Sequence, residues 1–222
     1  MAKRLTVAPI VVCLAVLFAS GAYAAGCKVT VPLDGGTARA GESTLGDLVA
    51  DAIRAALRAD LALVQAGQLR ADTIPVGEFD EECTQKALMY PEEPVVLTEV
   101  PGRKIQEALA RGLSALPQPN PGLLQVSGLV VVYRSESPPE QRLVSVKVGG
   151  EPLSADKTYL VAMPSSLAKG AMGYFRIFDG LKIKPNTPSP TLRAAVIAYA
   201  RARKTISITV GQRLQDLSKP SR

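Results

Sequence analysis

The sequence of 222 residues contains no histidine, no tryptophan and only three cysteines. Without an imidazole the chain cannot supply a Ser-His-Asp triad, a Cys-His dyad, a histidine general base or a histidine-rich zinc or two-metal centre. Any catalysis must therefore use carboxylates, lysine, tyrosine or the residues of a partner. We accordingly expect no catalytic residue, no metal ion and no cofactor in this chain alone.

Long runs of one charge are also missing. The 26 Lys+Arg and 20 Asp+Glu residues give a net charge of +6, and no four basic residues follow one another. Because nucleic-acid-binding proteins usually carry a clustered basic patch, we expect no nucleic-acid partner. Hydrophobic residues make up 47% of the chain, which is ample for a folded core of one sizeable domain or two small ones.

The first 24 residues have the three parts of an export signal. These parts are Lys3 and Arg4 as a positive start, the uncharged apolar residues 5–18, and the small-x-small cleavage site Ala22-Tyr23-Ala24. We expect residues 1–24 to be a signal peptide and the mature protein to be periplasmic or extracellular. An uncleaved anchor is an alternative, since residues 5–26 carry no charge, but Pro9 argues against it.

Cys27 permits two interpretations. The junction Ala24-Ala25-Gly26-Cys27 is similar to a bacterial lipobox, in which the cysteine becomes a lipid anchor. Cys13 would be lost with the signal, which leaves Cys27 and Cys83 as an even pair in an oxidising compartment, where a disulfide is usual. A lipidated Cys27 cannot form that bond. We favour plain export with a Cys27–Cys83 disulfide, and a lipoprotein anchored through Cys27 is the alternative.

The hydrophobic pattern beyond the signal predicts strands and helices of one domain at residues 25–210, followed by a tail at residues 211–222. Apolar residues from Leu45 to Leu57 recur every three or four positions, as on the buried face of a helix. We expect helices from Ser43 or Thr44 to near Asp60, at residues 102–116 and at residues 191–203. Expected strands are residues 28–32, 61–64, 95–100, 123–133, 143–148, 158–163 and 206–210.

Several ordered motifs resemble the C-terminal, substrate-binding domain of bacterial and animal 5'-nucleotidases. The first is Arg39-x-x-Glu42-Ser43-Thr44-Leu45-Gly46-Asp47-Leu48, and the second runs from Asp60 through Gln65-Ala66-Gly67-Gln68-Leu69-Arg70. Others are Val100-x-Gly102, residues 124–129, Val148-x-Gly150-x-Pro152-Leu153 and Leu167-Ala168-x-Gly170-x-x-Gly173-Tyr174. The resemblance covers residues 39–174 and implies an α+β fold, a mixed β-sheet with flanking helices.

The resemblance also implies that substrate binding and catalysis belong to different domains. In that family the domain follows a larger metallophosphoesterase domain, which holds two metal ions. Because this sequence has no histidine and few residues before Arg39, we expect a stand-alone, non-catalytic binding module. One alternative is the substrate-binding subunit of a split nucleotidase, completed by a separate metallophosphoesterase chain. Another is a structural or interaction domain that has lost its pocket.

The resemblance assigns a candidate site. Arg39 and Arg70 stand where the family places arginines that hold phosphate and ribose, and Gln65 replaces an asparagine beside them. These three residues are the expected substrate-binding residues, for a nucleotide or another phosphorylated small molecule. Taken without the resemblance, the two arginines are more simply interpreted as solvated side chains or as partners of Glu42 and Asp72.

The base-binding part of the family site is altered here. Two aromatic rings sandwich the base in the family, but Tyr90 offers a ring only with a shift of a residue or so, and Ser166 stands at the second position. Met172 replaces the carboxylate that binds the ribose. An acidic cluster at Glu78 and residues 80–82 could suggest a metal site, but a solvated helix start is the simpler interpretation.

Overall fold

The computed structural model describes residues 27–219. The expected signal peptide and its cleavage site, and the residues preceding Cys27 in the lipobox-like junction, lie outside the described residues. Within residues 27–219, no helix is both long enough and apolar enough to cross a membrane.

Residues 27–219 form thirteen strands and six α-helices, with short turns between them. The strands are β1 (Cys27–Val29), β2 (Leu33–Asp34), β3 (Leu61–Gln65), β4 (Thr73–Ile74), β5 (Gly77–Phe79), β6 (Val95–Pro101), β7 (Leu124–Ser127), β8 (Leu129–Tyr133), β9 (Leu143–Val148), β10 (Glu151–Pro152), β11 (Thr158–Pro164), β12 (Thr205–Ile206) and β13 (Leu214–Asp216). The helices are α1 (Thr44–Leu57), α2 (Glu81–Ala87), α3 (Gly102–Leu113), α4 (Ser165–Ala168), α5 (Phe175–Phe178) and α6 (Leu192–Arg203).

The strands are arranged in mixed sheets. The central sheet has the order β6-β11-β3-β7, in which β11 is parallel to β3 and the other neighbours are antiparallel. A second four-stranded sheet has the order β10-β9-β8-β13, and smaller sheets pair β12-β1-β5 and β2-β4. Helices α1 and α6 pack against each other, and α1 also contacts the central sheet. The predicted α+β class, with a mixed β-sheet and flanking helices, is confirmed.

Helix α1 shows why the local sequence folds as it does. The Ser43 hydroxyl accepts a hydrogen bond from the Gly46 amide at 3.0 Å and so caps the first turn. The predicted apolar face is buried against the core. The helix ends at Leu57 rather than near Asp60, because Arg58 adopts a left-handed conformation with φ of 50°.

The end of the chain differs from the prediction. The predicted tail at residues 211–222 contains strand β13, which pairs in parallel with β8 in the second sheet. The predicted strand at residues 206–210 shrinks to β12, of only two residues. The predicted strand at residues 123–133 is two strands, separated at Gly128, whose positive φ of 81° breaks the extended backbone.

The acidic cluster is the start of α2. The Asp80 carboxylate accepts a hydrogen bond from the Cys83 amide at 2.9 Å, and Glu81 and Glu82 occupy the first turn, where the helix dipole favours negative charge. Cys27 and Cys83 are both free thiols in the structure. The bond between them therefore stays a prediction.

Candidate functional site

Four loops meet at one edge of the central sheet. Residues 66–70 follow β3 and residues 165–173 follow β11, and these two strands are parallel. The antiparallel neighbours begin at the same edge, since Gln65 pairs with Leu124 and Pro164 pairs with Val95. Residues 90–94 and 120–123, which precede those strands, therefore lie beside the other two loops.

A network of hydrogen bonds joins three of these loops. Gln65 donates to the Ser166 hydroxyl at 3.1 Å, and Gln68 donates to the same oxygen at 3.3 Å. Gln68 also donates to Glu93 at 2.5 Å, and Glu93 accepts from the Ser166 amide at 2.6 Å. We call Gln65, Gln68, Glu93 and Ser166 the polar cluster. It gives residues 65–68, 93 and 166 a fixed arrangement.

Two members of the polar cluster, Gln65 and Gln68, are buried and not fully satisfied, whereas Glu93 and Ser166 are half-buried. The side chains of Gln65 and Gln68 are each 2% exposed. Their amide oxygens have no hydrogen-bond partner within the described residues. A buried acceptor without a donor costs about 1–3 kcal/mol. A polar ligand or a bound water that donates hydrogen bonds here would remove that cost.

The two arginines lie on adjoining turns. Arg39 ends the turn Gly36–Arg39, and its carbonyl oxygen accepts from the Asn120 amide at 2.7 Å. Arg70 follows the turn Ala66–Gln68, and its Nε donates to the Leu88 carbonyl at 3.1 Å. The two turns contact each other, and next to them the Gly35 amide donates to the Asp72 carbonyl at 3.2 Å.

Both arginines are exposed and available to a ligand. Neither Arg39 nor Arg70 forms an ion pair with a carboxylate in the part of the chain that the structure describes. The alternative pairing of Arg39 with Glu42 is not found, because the Glu42 carboxylate accepts the backbone amides of Arg213 and Leu214 at 2.9 and 2.7 Å.

The turn at residues 171–173 completes the edge. Met172 has a left-handed φ of 57°, and its side chain lies against Gly67 and Gly122. Arg111 of α3 donates to the Met172 carbonyl at 3.4 Å. The hydroxyl of Tyr174 donates to the Gly122 carbonyl at 2.6 Å, and burial raises the pKa of Tyr174, so that it stays a donor.

The structure brings several predicted positions together. Gln65 contacts Ser166 directly, and the Met172 side chain lies against Gly67, in the loop that follows Gln65. Tyr90 is 57% exposed in the loop before β6, at the same edge.

The sequence reasoning missed three residues of this edge, which are Gln68, Glu93 and Arg111. Gln68 lies within the recognised motif at residues 60–70, so the motif could have identified it as a candidate site residue. Glu93 and Arg111 belong to no motif. Their contacts depend on how the loops meet.

A family model and the related sequences both indicate the 5'-nucleotidase family. The family model "5'-nucleotidase, C-terminal domain" matches residues 24–180. An apyrase of Anopheles gambiae is 29% identical over 189 residues, which are 81% of this chain and 32% of that protein. A snake venom 5'-nucleotidase of Naja atra is 35% identical over 89 residues, which are 36% of this chain and 17% of that protein.

A solved structure agrees with these sequence relatives. The crystal structure of a 5'-nucleotidase precursor from Thermus thermophilus superposes with a TM-score of 0.79 at 25% identity. The matched region covers 87% of this chain and 39% of that one. The chain therefore spans well under half the length of each of these relatives.

Proposed function

Because the chain belongs to the 5'-nucleotidase C-terminal domain family, we propose that it is an exported, non-catalytic module that binds a nucleotide or another phosphate ester. The observation that carries this proposal is the pair of exposed arginines, Arg39 and Arg70, on adjoining turns at the loop edge of the central sheet. Export is supported by the pattern of residues 1–24. A lipoprotein anchored through Cys27 is the competing form.

Phosphate is the group that this edge would hold most strongly. Each arginine could contribute about 1.5–3 kcal/mol through charge-assisted hydrogen bonds to an anionic oxygen. Ring stacking, by contrast, is worth about 1–3 kcal/mol per base and needs an aromatic side chain. Ser166 supplies no ring and takes part in the polar cluster instead. Binding should therefore depend on the phosphate and discriminate little between bases.

Calorimetry with AMP, UMP, adenosine and ribose 5-phosphate tests this proposal. We expect AMP, UMP and ribose 5-phosphate to bind with similar affinity, and adenosine to bind at least ten-fold more weakly. Arg39→Ala and Arg70→Ala should each weaken AMP binding by about ten-fold or more, since about 1.4 kcal/mol corresponds to a factor of ten. Arg103→Ala, an exposed arginine on α3, is the matched control and should have no effect.

Two outcomes would contradict the assigned site. One is adenosine binding as tightly as AMP, and the other is AMP affinity unchanged in both arginine variants. If no phosphate ester binds or raises the melting temperature, the chain is better described as a structural or interaction domain that has lost the pocket.

A second candidate function is suggested by the sequence, which contains no histidine to hold the two metal ions of a metallophosphoesterase. The chain matches only 32% of the mosquito apyrase and 39% of the Thermus thermophilus protein. We propose as the alternative that it is the substrate-binding subunit of a split nucleotidase, completed by a separate metallophosphoesterase chain. The chain alone should not hydrolyse AMP, UDP-sugars or a generic phosphomonoester with magnesium, manganese or zinc. The prediction of no hydrolysis would be contradicted by metal-dependent turnover that copurifies with the chain through several chromatography steps and is lost when carboxylates of the chain are substituted.

A further inference from the structure

A cavity is present that no residue of the polar cluster lines. Its volume is about 570 Å³, which is within the range of small-molecule sites. It lies between residues 37–42 and residues 210–219. Ala40, Val210, Leu214 and Leu217 give it apolar walls. Its lining includes no residue of the polar cluster or of the turn at residues 171–173.

Asp216 supplies a buried charge to this cavity. Its side chain is 7% exposed, and one carboxylate oxygen accepts the amides of Ser135 and Ser218, each at 3.0 Å. Burial alone would raise the pKa of Asp216, but the Ser135 side chain, the amides of Ser135 and Ser218 and the charge of Lys219 outweigh it and hold the pKa below its ordinary value. The carboxylate is therefore ionised.

The second carboxylate oxygen of Asp216 is left without a hydrogen bond. It is buried and has no hydrogen-bond partner within residues 27–219. The Lys219 ammonium lies 3.7 Å away, and the side chain of Lys219 is 58% exposed. A long, solvated side chain at that distance holds the carboxylate weakly. A better-placed cation can therefore take its position.

Tyr133 supplies the second free polar group. The residue is 1% exposed, and its hydroxyl makes no hydrogen bond among the described residues, although it lines the cavity. Burial, together with the charges of Asp216 and Glu42, raises the pKa of Tyr133 and keeps the phenol neutral. The Glu42 carboxylate also lines the cavity, but its Oε2 accepts the amides of Arg213 and Leu214 at 2.9 and 2.7 Å and its Oε1 accepts the amide of Gln212 at 3.4 Å, so Asp216 has the less occupied oxygen.

We propose that this cavity binds a small organic cation, in which a primary ammonium or guanidinium group is carried on an apolar body. The cation replaces Lys219 at the free oxygen of Asp216 and can also donate to the Tyr133 hydroxyl. The apolar body packs against Val210, Leu214 and Leu217. Both features are needed, because the cavity combines a buried carboxylate that has a free oxygen with hydrophobic walls.

Titration with benzylamine, followed by amide chemical shifts or calorimetry, tests the proposal. Benzyl alcohol and benzoate are the neutral and anionic controls of the same shape. We expect benzylamine to bind at least ten-fold more tightly than benzyl alcohol, and benzoate not to bind. Asp216→Asn keeps an oxygen for the two amides but removes the charge, and should weaken benzylamine binding at least ten-fold. Lys219→Ala removes the competing ammonium and should strengthen binding several-fold.

A third variant tests the cavity without touching a charge. A Cβ at Gly41 would meet only the Tyr133 hydroxyl, at 3.8 Å, so Gly41→Leu can extend into the cavity. It should abolish benzylamine binding while the melting temperature is retained. Arg39→Ala should leave benzylamine binding unchanged, which separates this site from the phosphate site. The proposal is overturned if benzylamine shows no saturable binding, if benzyl alcohol binds equally well, or if affinity is unchanged in Asp216→Asn.

Discussion

A single buried carboxyl group gives the folded chain an unusual dependence on pH. Asp47 in α1 is completely buried, and the nearest guanidinium nitrogen, Nε of Arg213, is 3.5 Å from its Oδ2. Burial raises the pKa of Asp47 to about 9, and the neighbouring Glu42 and Asp51 add to this shift while Arg213 opposes it. Arg213 instead makes two short hydrogen bonds to Asp51, at 2.8 and 3.0 Å. Asp47 is therefore a neutral acid at pH 7.

The stability of the fold should fall as pH rises because of this group. The ordinary pKa of 3.8 applies to Asp47 in the unfolded chain, whereas the folded chain keeps the proton up to about pH 9. Between those values the folded state binds the extra proton, so the free energy of unfolding decreases with pH and then levels off. Asp47→Asn stays neutral throughout and should raise the melting temperature at pH 8 by at least about 2–4 °C, which is about 1 kcal/mol.

Thermal melts of both proteins from pH 4 to pH 10 measure this effect. Asp51→Asn is the matched control, because it weakens a direct ion pair with Arg213 and should lower the melting temperature at pH 8. Parallel pH profiles for the native chain and Asp47→Asn would contradict the assignment of a neutral Asp47.

The residues of the candidate site differ in whether a local sequence motif could identify them. Arg39, Gln65 and Arg70 were predicted because each lies in a motif with family spacing. Glu93 was not, because its hydrogen bonds to Gln68 and Ser166 exist only where separate loops meet at the sheet edge. No local pattern records such a contact. The arginine variants therefore test the site that was assigned from the resemblance. The polar cluster, by contrast, was found only in the structure.

Strand β13 is a secondary-structure element that no local sequence pattern predicts. It is three residues long and contains one buried residue, Leu214, so it has no alternating pattern to predict it. Its anchors come from the other end of the chain, since Glu42 accepts the amides of Arg213 and Leu214. The long helices α1, α3 and α6 were predicted because their own apolar faces repeat over three or more turns.

Removing the anchor of β13 should release it. Glu42→Ala leaves the amides of Arg213 and Leu214 without their acceptor, which should cost about 2–3 kcal/mol. That cost corresponds to a fall of about 5–10 °C in melting temperature for a chain of this size. Hydrogen exchange at residues 213–216 should accelerate markedly, as measured by mass spectrometry or NMR.

An exposed carboxylate provides the comparison for Glu42→Ala. Glu99 forms an ion pair with Lys184 at 3.0 Å on the surface. Surface pairs contribute only about 0–1 kcal/mol. Glu99→Ala should therefore change the melting temperature by at most about 2–4 °C. Unchanged exchange at residues 213–216 in Glu42→Ala would show that other contacts hold β13.

At the scale of the whole molecule, the three-stranded sheet brings together strands that are far apart in the sequence. Strand β1 pairs with β12 from the last part of the chain and with β5 from the middle. Cys27 lies opposite Phe79 and Lys28 lies opposite Glu78, while the Cys83 sulfur is 3.6 Å from the Glu78 carbonyl oxygen. The two thiols therefore share one corner of the fold, although each is free in the structure.

We predict that the native protein carries a Cys27–Cys83 disulfide, as expected for the oxidising compartment to which we propose it is exported. Burial raises the pKa of both thiols, which makes each sulfur a poorer leaving group and slows the opening of an established bond by an external thiol. The bond closes a long loop and should contribute about 4 kcal/mol under the chain-entropy model. Reduction should therefore lower the melting temperature by about 8–16 °C and raise the intact mass by two hydrogens.

Cys83→Ser separates the bond from other effects of a reductant. Its melting temperature should already be low and should not respond to reduction, whereas the native protein should respond. The mass also decides between the two fates of Cys27, because a thioether lipid on its sulfur and a disulfide cannot coexist. A diacylglycerol adduct on Cys27, or a native mass unchanged by reduction, would show that this corner is held together by β-sheet pairing without a covalent link.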